Sequence, residues 1–580
     1  MSDEPTNKRN TRKRKKSFLK NARKYGKKGY YGRGSELDAD TYQYFIRIME
    51  TYREGFANDE ERSIFADNVF EQTVSKEVEC SCNQVGCRVV ETLLPFSNDD
   101  TLRKFMEAFS SDLRRLCGDR FASHVLEALV VQACTRSFTS SDESKSYFKE
   151  FSAKISKFLL NNLEDYVWDT YGNHIVRTCL ENLVQLPKEG NKNEGRVKVE
   201  ENQDIPEEYV GIVKEYGERI IVWPQFNELC SSELTSCLLQ VLLKCLKKTD
   251  KKLLKKYLKK LLDEIFAPNA EENTGAGTSL SPAFLSKPVL MLLETTVQIA
   301  PPKTFTQIYA KCFKGNLPKL SKTRNTNFAV QKLIQYCTEK VEFEAMFDEL
   351  SDHFAEIIEA GHTGVILALA QTCKRLCAKQ GSFVQNLMKS LNCSEPEERQ
   401  TNFIVSLSRF CKYGPDQPSN ENLQKEKLNL HGTLILQALL DFNKPIKIVN
   451  GILGMEQTQL KDLFCNTMGS HIVDSYVKGA FVGEKSREKL VRKMMGAYRE
   501  MASLKYGSRS FEAIWNAAAL KAKLQIMDEL CYKDGAWSNS ECGKIIAAKV
   551  NLALYKRNKE EWKNSLNKVD KSALFADILK

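Results

Sequence analysis

One short polar motif returns at five places along this chain of 580 residues. It consists of a small residue, a Ser, Asn or Cys (the marker residue), a His or Arg (the flanking residue), two mostly apolar residues, and a charged residue four positions after the marker (the third residue). The chain has only six histidines, and His124, His174 and His471 all occupy the flanking position. Random placement would scatter them, so the motif marks an internal repeat. The copies cover residues 86–91, 122–127, 172–177, 469–474 and 507–512.

The spacing of the markers predicts a helical repeat array. Markers at 87 and 123 are 36 residues apart, and those at 433, 470, 508 and 543 are separated by 37, 38 and 35 residues. This period is the length of one helical repeat unit, and about eleven repeats are expected. The remaining markers are assigned at 173, 236 and 327, more weakly at 287 and 363, with 402–406 as a degenerate copy and 42–47 as an irregular first unit.

Each copy of the motif is expected to begin a helix. Its apolar residues follow helical periodicity, and a residue type that caps helix N-termini lies four positions before most markers. The marker and the third residue then point the same way, while the aliphatic pair turns into the core. Stacked units of this kind place all the motif faces on one surface of an all-α solenoid. The expected caps are Asn83, Asp119, Asp169, Ser232, Asn429, Asn466 and Asn539.

Positive charge is concentrated near the start of the sequence. Residues 8–33 contain 13 Lys and Arg and no acid, so of the total charge of +11 the rest of the chain carries −2. Such a segment suits a nuclear or nucleolar address or contact with RNA phosphates, with simple solubilisation as the alternative. We expect a basic disordered tail over 1–36, a repeat array over 37–560 with inserts near 137–146, 188–207 and 268–282, and a C-terminal tail over 561–580.

The polar residues of the motif match what a single-stranded base requires. A short polar side chain and an acid or amide can hydrogen-bond the edge of a base, and a flat or cationic side chain can stack between neighbouring bases. A glutamate accepts two hydrogen bonds, which suits the adjacent donors of guanine. The alternative is that polar residues at helix starts serve only as caps, but five copies at a repeat period favour the first interpretation.

On these residues the chain resembles the Pumilio (PUF) repeat family over residues 40–560. The resemblance implies a curved or U-shaped α-solenoid of three-helix repeats. It also implies that Ser or Cys with Glu binds guanine, that Asn with Gln binds uracil, and that Ser or Cys with Gln binds adenine. The inserts and the degenerate middle repeats are similar to those of the nucleolar branch of the family, of the nucleolar protein nine type. That branch implies binding to precursor small-subunit rRNA during 18S maturation.

Three copies of the motif carry the combination that the family uses for guanine, and their flanking residues would stack on the base. A further copy, formed by Asn327, Phe328 and Gln331, implies a uracil site. The guanine sets are Cys87, Arg88 and Glu91; Ser123, His124 and Glu127; and Ser508, Arg509 and Glu512.

Other copies depart from the family pattern. Ser236 with Gln240 would suit adenine, but Cys237 between them is a poor stacking partner. Two sets leave the base identity open because their third residue is unusual: Asn173, His174 and Arg177, and Ser470, His471 and Asp474. The trio is lost or reduced at Lys287/Pro288/Met291, Thr363/Gly364/Leu367, Thr433/Leu434/Gln437 and Gly543/Lys544/Ala547. These repeats are expected to support the scaffold, meet the RNA backbone or lie off the RNA path.

The function expected from these observations is RNA binding without catalysis. The sequence has no phosphate-binding Gly-rich lysine loop and no metalloprotease helix, and its cysteines lack the spacing of a zinc site, so neither a metal nor a cofactor is expected. No apolar run is long enough to cross a membrane. We expect a nuclear and nucleolar monomer that binds precursor small-subunit rRNA and proteins of the pre-ribosomal particle. The alternatives are a sequence-specific mRNA regulator and a protein-binding α-solenoid scaffold.

Overall fold

The computed structural model describes residues 18–139, 142–187, 204–267, 280–414, 427–532 and 536–566. Over these ranges the chain is helical with no β-strand, and one isolated bridge pairs Gly34 with Asn83. No helix within them has the length and apolar character needed to span a membrane. The helices come in groups of three: a first helix, a short second helix, and a helix that begins with the motif and is called the motif helix here. The predicted all-α class is confirmed.

Eleven such groups follow one another in the described part of the chain, and they are numbered repeats 1 to 11. Their motif helices are Gln84–Leu93, Ala122–Thr139, Thr170–Leu183, Glu233–Thr249, Lys287–Ile299, Asn327–Tyr336, Thr363–Leu376, Leu430–Leu440, Ser470–Lys478, Lys505–Ala517 and Glu541–Lys549. Their short second helices are Glu77–Ser81, Leu113–Gly118, Leu163–Val167, Phe226–Ser231, Pro282–Phe284, Leu317–Lys322, Phe354–Glu359, Phe403–Arg409, Gln457–Phe464, Tyr498–Ser503 and Ala536–Asn539.

The first helices of the repeats vary more in length than the motif helices. They are Asp59–Glu71, Asp99–Ser110, Asp142–Asn161, Glu207–Ile221, Lys251–Lys260, Pro302–Ile308, Lys340–Leu350, Gln380–Ser390, Ile446–Gly454, Glu484–Lys493 and Leu520–Cys531. Short 3-10 or π segments accompany several of them, at Leu94–Phe96, Leu261–Phe266, Tyr309–Phe313, Ser351–His353 and Glu397–Asn402. Helices 18–26 and Ala39–Glu54 precede repeat 1, and Leu552–Arg557 and 559–566 follow repeat 11.

The chain divides into two compact units. The first comprises residues 1–270 and 281–300, and its described part holds repeats 1 to 5. The second comprises residues 271–280 and 301–580, and its described part holds repeats 6 to 11. Within each unit, consecutive motif helices pack side by side. The aliphatic pair of each motif contributes to the core as predicted: Val125 and Leu126 of repeat 2, for example, are fully buried.

The small residue of the motif has a structural role at the start of the motif helix. In repeat 9, a Cβ added to Gly469 would lie 2.0 Å from the backbone oxygen of Leu463 in the short second helix, so only glycine permits this approach. In repeat 4 the same position is Thr235, and its hydroxyl donates a hydrogen bond of 2.7 Å to the backbone oxygen of Leu229. In both repeats the contacted carbonyl belongs to the residue six positions earlier. The small residue therefore docks the motif helix onto the second helix.

Most of the predicted caps are present. Asp169 accepts a hydrogen bond of 2.6 Å from the backbone amide of Gly172, and Asn83, Asp119 and Asn429 also accept from first-turn amides. The prediction for Asn466 is wrong, because it accepts from the amide of Met468, which precedes the helix Ser470–Lys478, and the cap position of that helix is Gly469. Ser232 lies at the cap position without a side-chain hydrogen bond. The prediction for Asn539 is wrong, because Ser540 is the cap and accepts from Gly543.

The degenerate copy predicted at 402–406 is not a motif helix. Residues 403–409 form the short second helix of repeat 8, and the backbone oxygen of Leu407 lies against Gly432 of the motif helix. Motif helices Thr363–Leu376 and Leu430–Leu440 pack directly against each other. The 70 residues between their markers therefore hold one repeat with additional chain inside it, because an apolar second helix resembles a decayed motif in sequence.

The predicted boundaries also need correction. Residues 18–26 are helical, and the buried Tyr42 hydroxyl donates to the backbone oxygen of Ala22, so the disordered tail cannot extend to residue 36. Trp562 is fully buried and donates from Nε1 to the backbone oxygen of Val550, so the array continues beyond residue 560. Around 137–146 the described residues belong to two long helices, and Ser137 is buried. Residues 1–17, 188–203, 268–279 and 567–580, on which other boundary predictions fall, lie outside the described residues.

Candidate nucleic-acid interface

The flanking residues form the exposed positions of the motif. Arg88, His124, His174 and Arg509 are exposed, although the residues that follow them are buried. Phe328 is 57% exposed, which is unusual for an aromatic side chain of this size and leaves its ring face open. The predicted stacking positions are therefore accessible to a ligand, whereas His471 is half-buried.

Most of the marker residues are buried, whereas the sequence predicted that they face a ligand. Ser123, Asn173 and Ser236 are each at most 1% exposed. Their side chains are short, and the neighbouring repeat packs over the first turn of each motif helix. In repeat 4 the Ser236 hydroxyl donates to the backbone oxygen of Pro288 in the next repeat, at 2.8 Å. In repeat 1 the Cys87 thiol contacts the backbone oxygen of Phe121 in the same manner, at 3.1 Å.

In repeats 2 and 3, buried polar atoms of the markers lack a hydrogen-bond partner among the described residues. The Asn173 amide donates to the backbone oxygen of Val167 at 2.7 Å, but its Oδ1 is buried without a hydrogen bond. The Ser123 hydroxyl is also buried and unsatisfied. An unsatisfied buried polar atom costs stability, so these two atoms would gain from a hydrogen bond if a ligand or a water molecule reached them.

In repeats 2, 4 and 10 the third residue contacts the same position of the next repeat. The Thr178 hydroxyl donates to Oε2 of Glu127 at 2.7 Å, and the Thr295 hydroxyl donates to Oε1 of Gln240 at 3.1 Å. Lys549 pairs with Glu512 in the same way. Thr178 lies five positions after the marker Asn173, and the caps Ser286 and Ser540 place Thr295 and Lys549 at the same position of their repeats, so this contact marks the register. Between repeats 9 and 10 the contact differs, because Arg509, one position after its marker, donates to Asp474.

This contact corrects the register of repeats 5 and 11, that is, it changes which residue of each motif helix is the marker. Five positions before Thr295 is Leu290, so the trio of repeat 5 is Leu290, Met291 and Glu294 rather than the predicted 287, 288 and 291. Met291 occupies the flanking position and is 43% exposed, as that position requires. Five positions before Lys549 is Lys544, so the trio of repeat 11 shifts by one residue to Lys544, Ile545 and Ala548. The cap Ser540 gives the same register.

Charged flanking and third residues alternate across repeats 1 to 3. Partial loss of hydration raises the pKa of Glu91, although the nearby His124 works against this effect. A hydrogen bond to Glu127 raises the pKa of His124. Partial burial also works to raise the pKa of Glu127, but hydrogen bonds from His124 and Thr178 outweigh it and hold that pKa below its ordinary value. His124 therefore lies between two carboxyl groups from neighbouring repeats.

Repeat 3 carries a positive charge at its third position, where repeats 1 and 2 carry carboxylates. A guanidinium nitrogen of Arg177 lies 2.7 Å from Nδ1 and 3.1 Å from Nε2 of His174. Partial burial and the Arg177 charge lower the pKa of His174, so this imidazole stays neutral where His124 becomes charged. Arg177 replaces the usual acid of the third position and places a cation where the preceding repeats have carboxylates.

The other predicted site residues are occupied by contacts within the protein. The Asn327 amide donates to the backbone oxygen of Arg324 at 2.6 Å, while its Oδ1 accepts from Gln331 at 2.8 Å. Arg509 donates to Asp474 of the preceding repeat at 3.1 Å. The remaining bonds are Gln240 to Ser236, Ser470 to the Thr467 carbonyl and Ser508 to the Lys505 carbonyl.

The residues five positions after the markers were missed by the sequence reasoning. Thr178, Thr295 and Lys549 orient the third residues, but nothing in the order of residues indicates that positions four and five of adjacent repeats meet. Their number relative to the marker is constant, so the signal exists once the register is known. In the described ranges, no group of three His, Cys, Asp or Glu residues is arranged to hold a metal ion.

Stacked three-helix repeats, most of which expose the flanking side chain of the motif, define an α-solenoid repeat protein. A family described as the NOP9-like PUF repeat domain matches residues 75–545. Because this match covers most of the sequence, the chain belongs to the NOP9-like PUF repeat family. The predicted family and its nucleolar branch are confirmed.

Relatives and solved structures agree with this assignment. Nucleolar protein 9 of Homo sapiens is 23% identical over 577 residues, covering 92% of this chain and 90% of that protein. Pumilio homolog 23 of Arabidopsis thaliana is 23% identical, covering 91% of this chain and 73% of that protein. A structure of APUM23 with GGAAUUGACGG has a TM-score of 0.71 at 21% identity, covering 91% of this chain and 99% of that chain. This likeness confirms the PUF solenoid fold.

Proposed function

We propose that this protein binds a single-stranded segment of precursor small-subunit rRNA and assists 18S rRNA maturation. Its family membership makes the chain an RNA-binding protein of ribosome biogenesis with a nuclear and nucleolar location. The proposal adds the identity of the RNA, the surface that holds it, association with pre-ribosomal proteins, a monomeric state and a role without catalysis.

The observation that carries the proposal is the arrangement of repeats 1 to 3. Arg88, His124 and His174 are exposed and lie on consecutive motif helices, which is the placement that stacking against successive bases needs. Glu91 and Glu127 lie beside them and can accept hydrogen bonds from base edges. A protein-binding scaffold gives no reason for three cationic or aromatic side chains in one position of consecutive repeats.

The buried marker atoms support a role of the same repeats in base recognition. The unsatisfied Ser123 hydroxyl and the unsatisfied Asn173 oxygen occur in repeats 2 and 3, beside the exposed His124 and His174. In repeat 4 the corresponding Ser236 hydroxyl is occupied by a backbone oxygen. We therefore place base recognition by the marker residues in repeats 2 and 3, with Arg88, Phe328 and Arg509 as additional stacking positions.

In-cell crosslinking followed by sequencing of the bound RNA tests the proposal. The intact protein is compared with a variant that carries His124→Ala, His174→Ala and His471→Ala. We expect reads concentrated on one region of the precursor of 18S rRNA, and we expect the variant to lose them. Reads on messenger 3′ ends would assign the protein to mRNA regulation instead.

A matched control uses a histidine outside the motif. His353 lies in the 3-10 segment Ser351–His353 and pairs with Glu356 on the same stretch of chain, so His353→Ala should leave the crosslinked region unchanged. Equal loss of reads in this control and in the triple variant would refute the role of the flanking histidines. A complete absence of enriched RNA with the intact protein would refute the proposed function itself.

A further inference from the structure

A cavity of about 430 Å³ lies next to repeat 1, outside the eleven motif trios. The helix 18–26 and the loop after it form one side of the cavity, and the start of the motif helix Gln84–Leu93 forms the other. Four aromatic side chains line it, together with polar groups from both sides. A volume of this size is within the range of small-ligand sites. The lining includes Phe18, Tyr25, Tyr30, Tyr42, Arg33 and Gln84.

The side chains at the cavity mouth are not engaged by the protein. Tyr25 is 54% exposed and Tyr30 is 66% exposed, and neither ring contacts another aromatic ring among the described residues. The side chains of Arg33 and Gln84 have no hydrogen bond or ion pair within that part of the chain. Exposed tyrosines with open faces, next to a free guanidinium and a free amide, are the groups that stack on a base, bind a phosphate and hydrogen-bond a base edge.

The position of these groups is held by the fold. The buried Tyr42 hydroxyl donates to the Ala22 backbone oxygen at 3.1 Å, which fixes the helix 18–26 on the body of the protein. The Asn83 amide donates to the backbone oxygens of Tyr31 and Ser35, at 3.0 and 2.8 Å, while its Oδ1 caps the motif helix of repeat 1. One side chain thus anchors both the loop that carries Tyr30 and the helix that carries Gln84.

The cavity lies beside the flanking residue of repeat 1. The Arg88 guanidinium lies 4.7 Å from the centre of the Phe18 ring, and Phe18 lines the cavity. Gln84 is the first residue of the motif helix that presents Arg88. A strand that stacks on Arg88 therefore reaches the cavity with its next nucleotide. Lys20 and Lys24 on the same N-terminal helix, and Lys27 directly after it, have no carboxylate partner among the described residues and add positive charge there.

We propose that this cavity is an accessory nucleotide site, which takes one nucleotide of the RNA strand beyond the nucleotide at repeat 1. Tyr25 and Tyr30 stack on the base, Gln84 hydrogen-bonds its edge, and Arg33 pairs with the adjacent phosphate. The inference rests on the proposed RNA-binding function and extends it to residues outside the repeat array. The site binds the strand by stacking and charge, so it lengthens the contact with little dependence on the base.

Photocrosslinking locates the contact without knowledge of the natural RNA. Short random-sequence RNAs that contain 4-thiouridine are bound to the full chain, irradiated and digested, and the crosslinked peptides are identified by mass spectrometry. We expect crosslinks in repeats 1 to 3 and also at Tyr25 or Tyr30. Crosslinks in the repeats with none between residues 18 and 33 would overturn the accessory site. An absence of crosslinks in the repeats would refute the proposed function instead.

A substitution pair measures the contribution of the site. Tyr25→Ala with Tyr30→Ala should weaken binding of the same RNA pool by about 5- to 150-fold, which corresponds to one stacked base. Both side chains are exposed, so thermal unfolding should be unchanged. Tyr532→Ala is the matched control, because Tyr532 is 64% exposed but lies far along the chain beside Arg499. Unchanged affinity in the double variant, or an equal loss in the control, would overturn the proposal.

Discussion

Repeat 1 and repeat 8 hold their motif helices by the same contacts and yet present different side chains. Asn83 and Asn429 both cap, and a glycine in each repeat lies against a backbone oxygen of the short second helix. The flanking and third residues, however, are Arg88 and Glu91 in repeat 1 but Leu434 and Gln437 in repeat 8. The residues that build the helix are therefore retained where the residues that would contact RNA are not.

The same contrast extends to the neighbouring repeats of each unit. Repeats 1 to 3 carry Arg, His and His at the flanking position, whereas repeats 6 to 8 carry Phe328, Gly364 and Leu434. In repeat 7 the glycine allows Gln331 of repeat 6 to fold over the place that a flanking side chain would occupy, since an added Cβ would lie 2.6 Å from the Gln331 oxygen. Repeats 6 to 8 therefore keep the contacts that hold the motif helices, but Gln331 fills the place of the flanking side chain in repeat 7.

The largest expected difference between these regions is in RNA affinity. His124→Ala with His174→Ala removes two stacking side chains and should weaken RNA binding by about 2 to 6 kcal/mol. The paired change Phe328→Ala with Leu434→Ala removes one stacking ring and should cost about half as much. Fluorescence anisotropy titrations at fixed salt measure both. Equal losses of affinity would contradict the expected difference in RNA binding between repeats 1 to 3 and repeats 6 to 8.

The scaffold contacts, in contrast, should be equally important in both regions. Gly86→Ala and Gly432→Ala place a methyl group 2.2 and 2.1 Å from backbone oxygens, so the motif helix must shift away from the second helix. We expect each change to lower the free energy of unfolding by about 1 to 3 kcal/mol, measured by chemical denaturation. Gly381 is the control, because a methyl group there meets no atom within 4 Å.

A third prediction separates base recognition from stability at Glu91. Glu91→Gln should weaken binding of a guanine-containing RNA more than of its adenine counterpart, by about 1.5 kcal/mol, because an amide accepts only one of the two hydrogen bonds. Partial loss of hydration raises the pKa of Glu91 above its unfolded value, so this carboxyl destabilises the folded state as pH rises above the unfolded pKa, and the melting temperature of the variant at neutral pH should not fall. A fall in melting temperature with unchanged discrimination would indicate a purely structural carboxylate.

The smallest expected effect is a difference in proton binding between the exposed histidines of repeats 2 and 3. Glu127 raises the pKa of His124, whereas burial and Arg177 lower the pKa of His174, so NMR titration should show His124 gaining its proton at the higher pH. The stabilisation from the His124–Glu127 pair is present below the unfolded pKa of histidine and is lost as pH rises through the folded pKa. Glu127→Gln should bring the two titrations closer together. Identical titration of both imidazoles in the intact protein would contradict this assignment.

The fold could be predicted from the sequence because the residues that define the start of each motif helix lie close together in the chain. A cap four residues before the marker and a small residue beside it locate each motif helix, as Asp169 and Gly172 do in repeat 3. The register failed at repeats 5 and 11, where the polar trio is gone and only the caps Ser286 and Ser540 remain to mark the start of the helix.

The structure revised the candidate site because burial depends on neighbouring repeats. Ser123 and Asn173 are predicted to face the ligand from their helical positions, but the adjacent repeat covers them and only the flanking residues stay exposed. The contact between Glu127 and Thr178 crosses 51 residues of chain and has no local signal. The residue roles at the interface remain predictions for the binding experiments to decide.

The docking of second helices onto motif helices has a practical consequence in repeat 8. The backbone amide of Asn429 donates to the backbone oxygen of Ser408 at 2.9 Å, and Gly432 lies against the backbone oxygen of Leu407. The residues of each pair are separated by more than twenty positions in the chain. Because the helices on either side are joined by their own contacts, the length of the intervening chain does not set the register. A fluorescent module inserted between residues 414 and 427 would therefore report on the protein in cells while leaving every repeat in place.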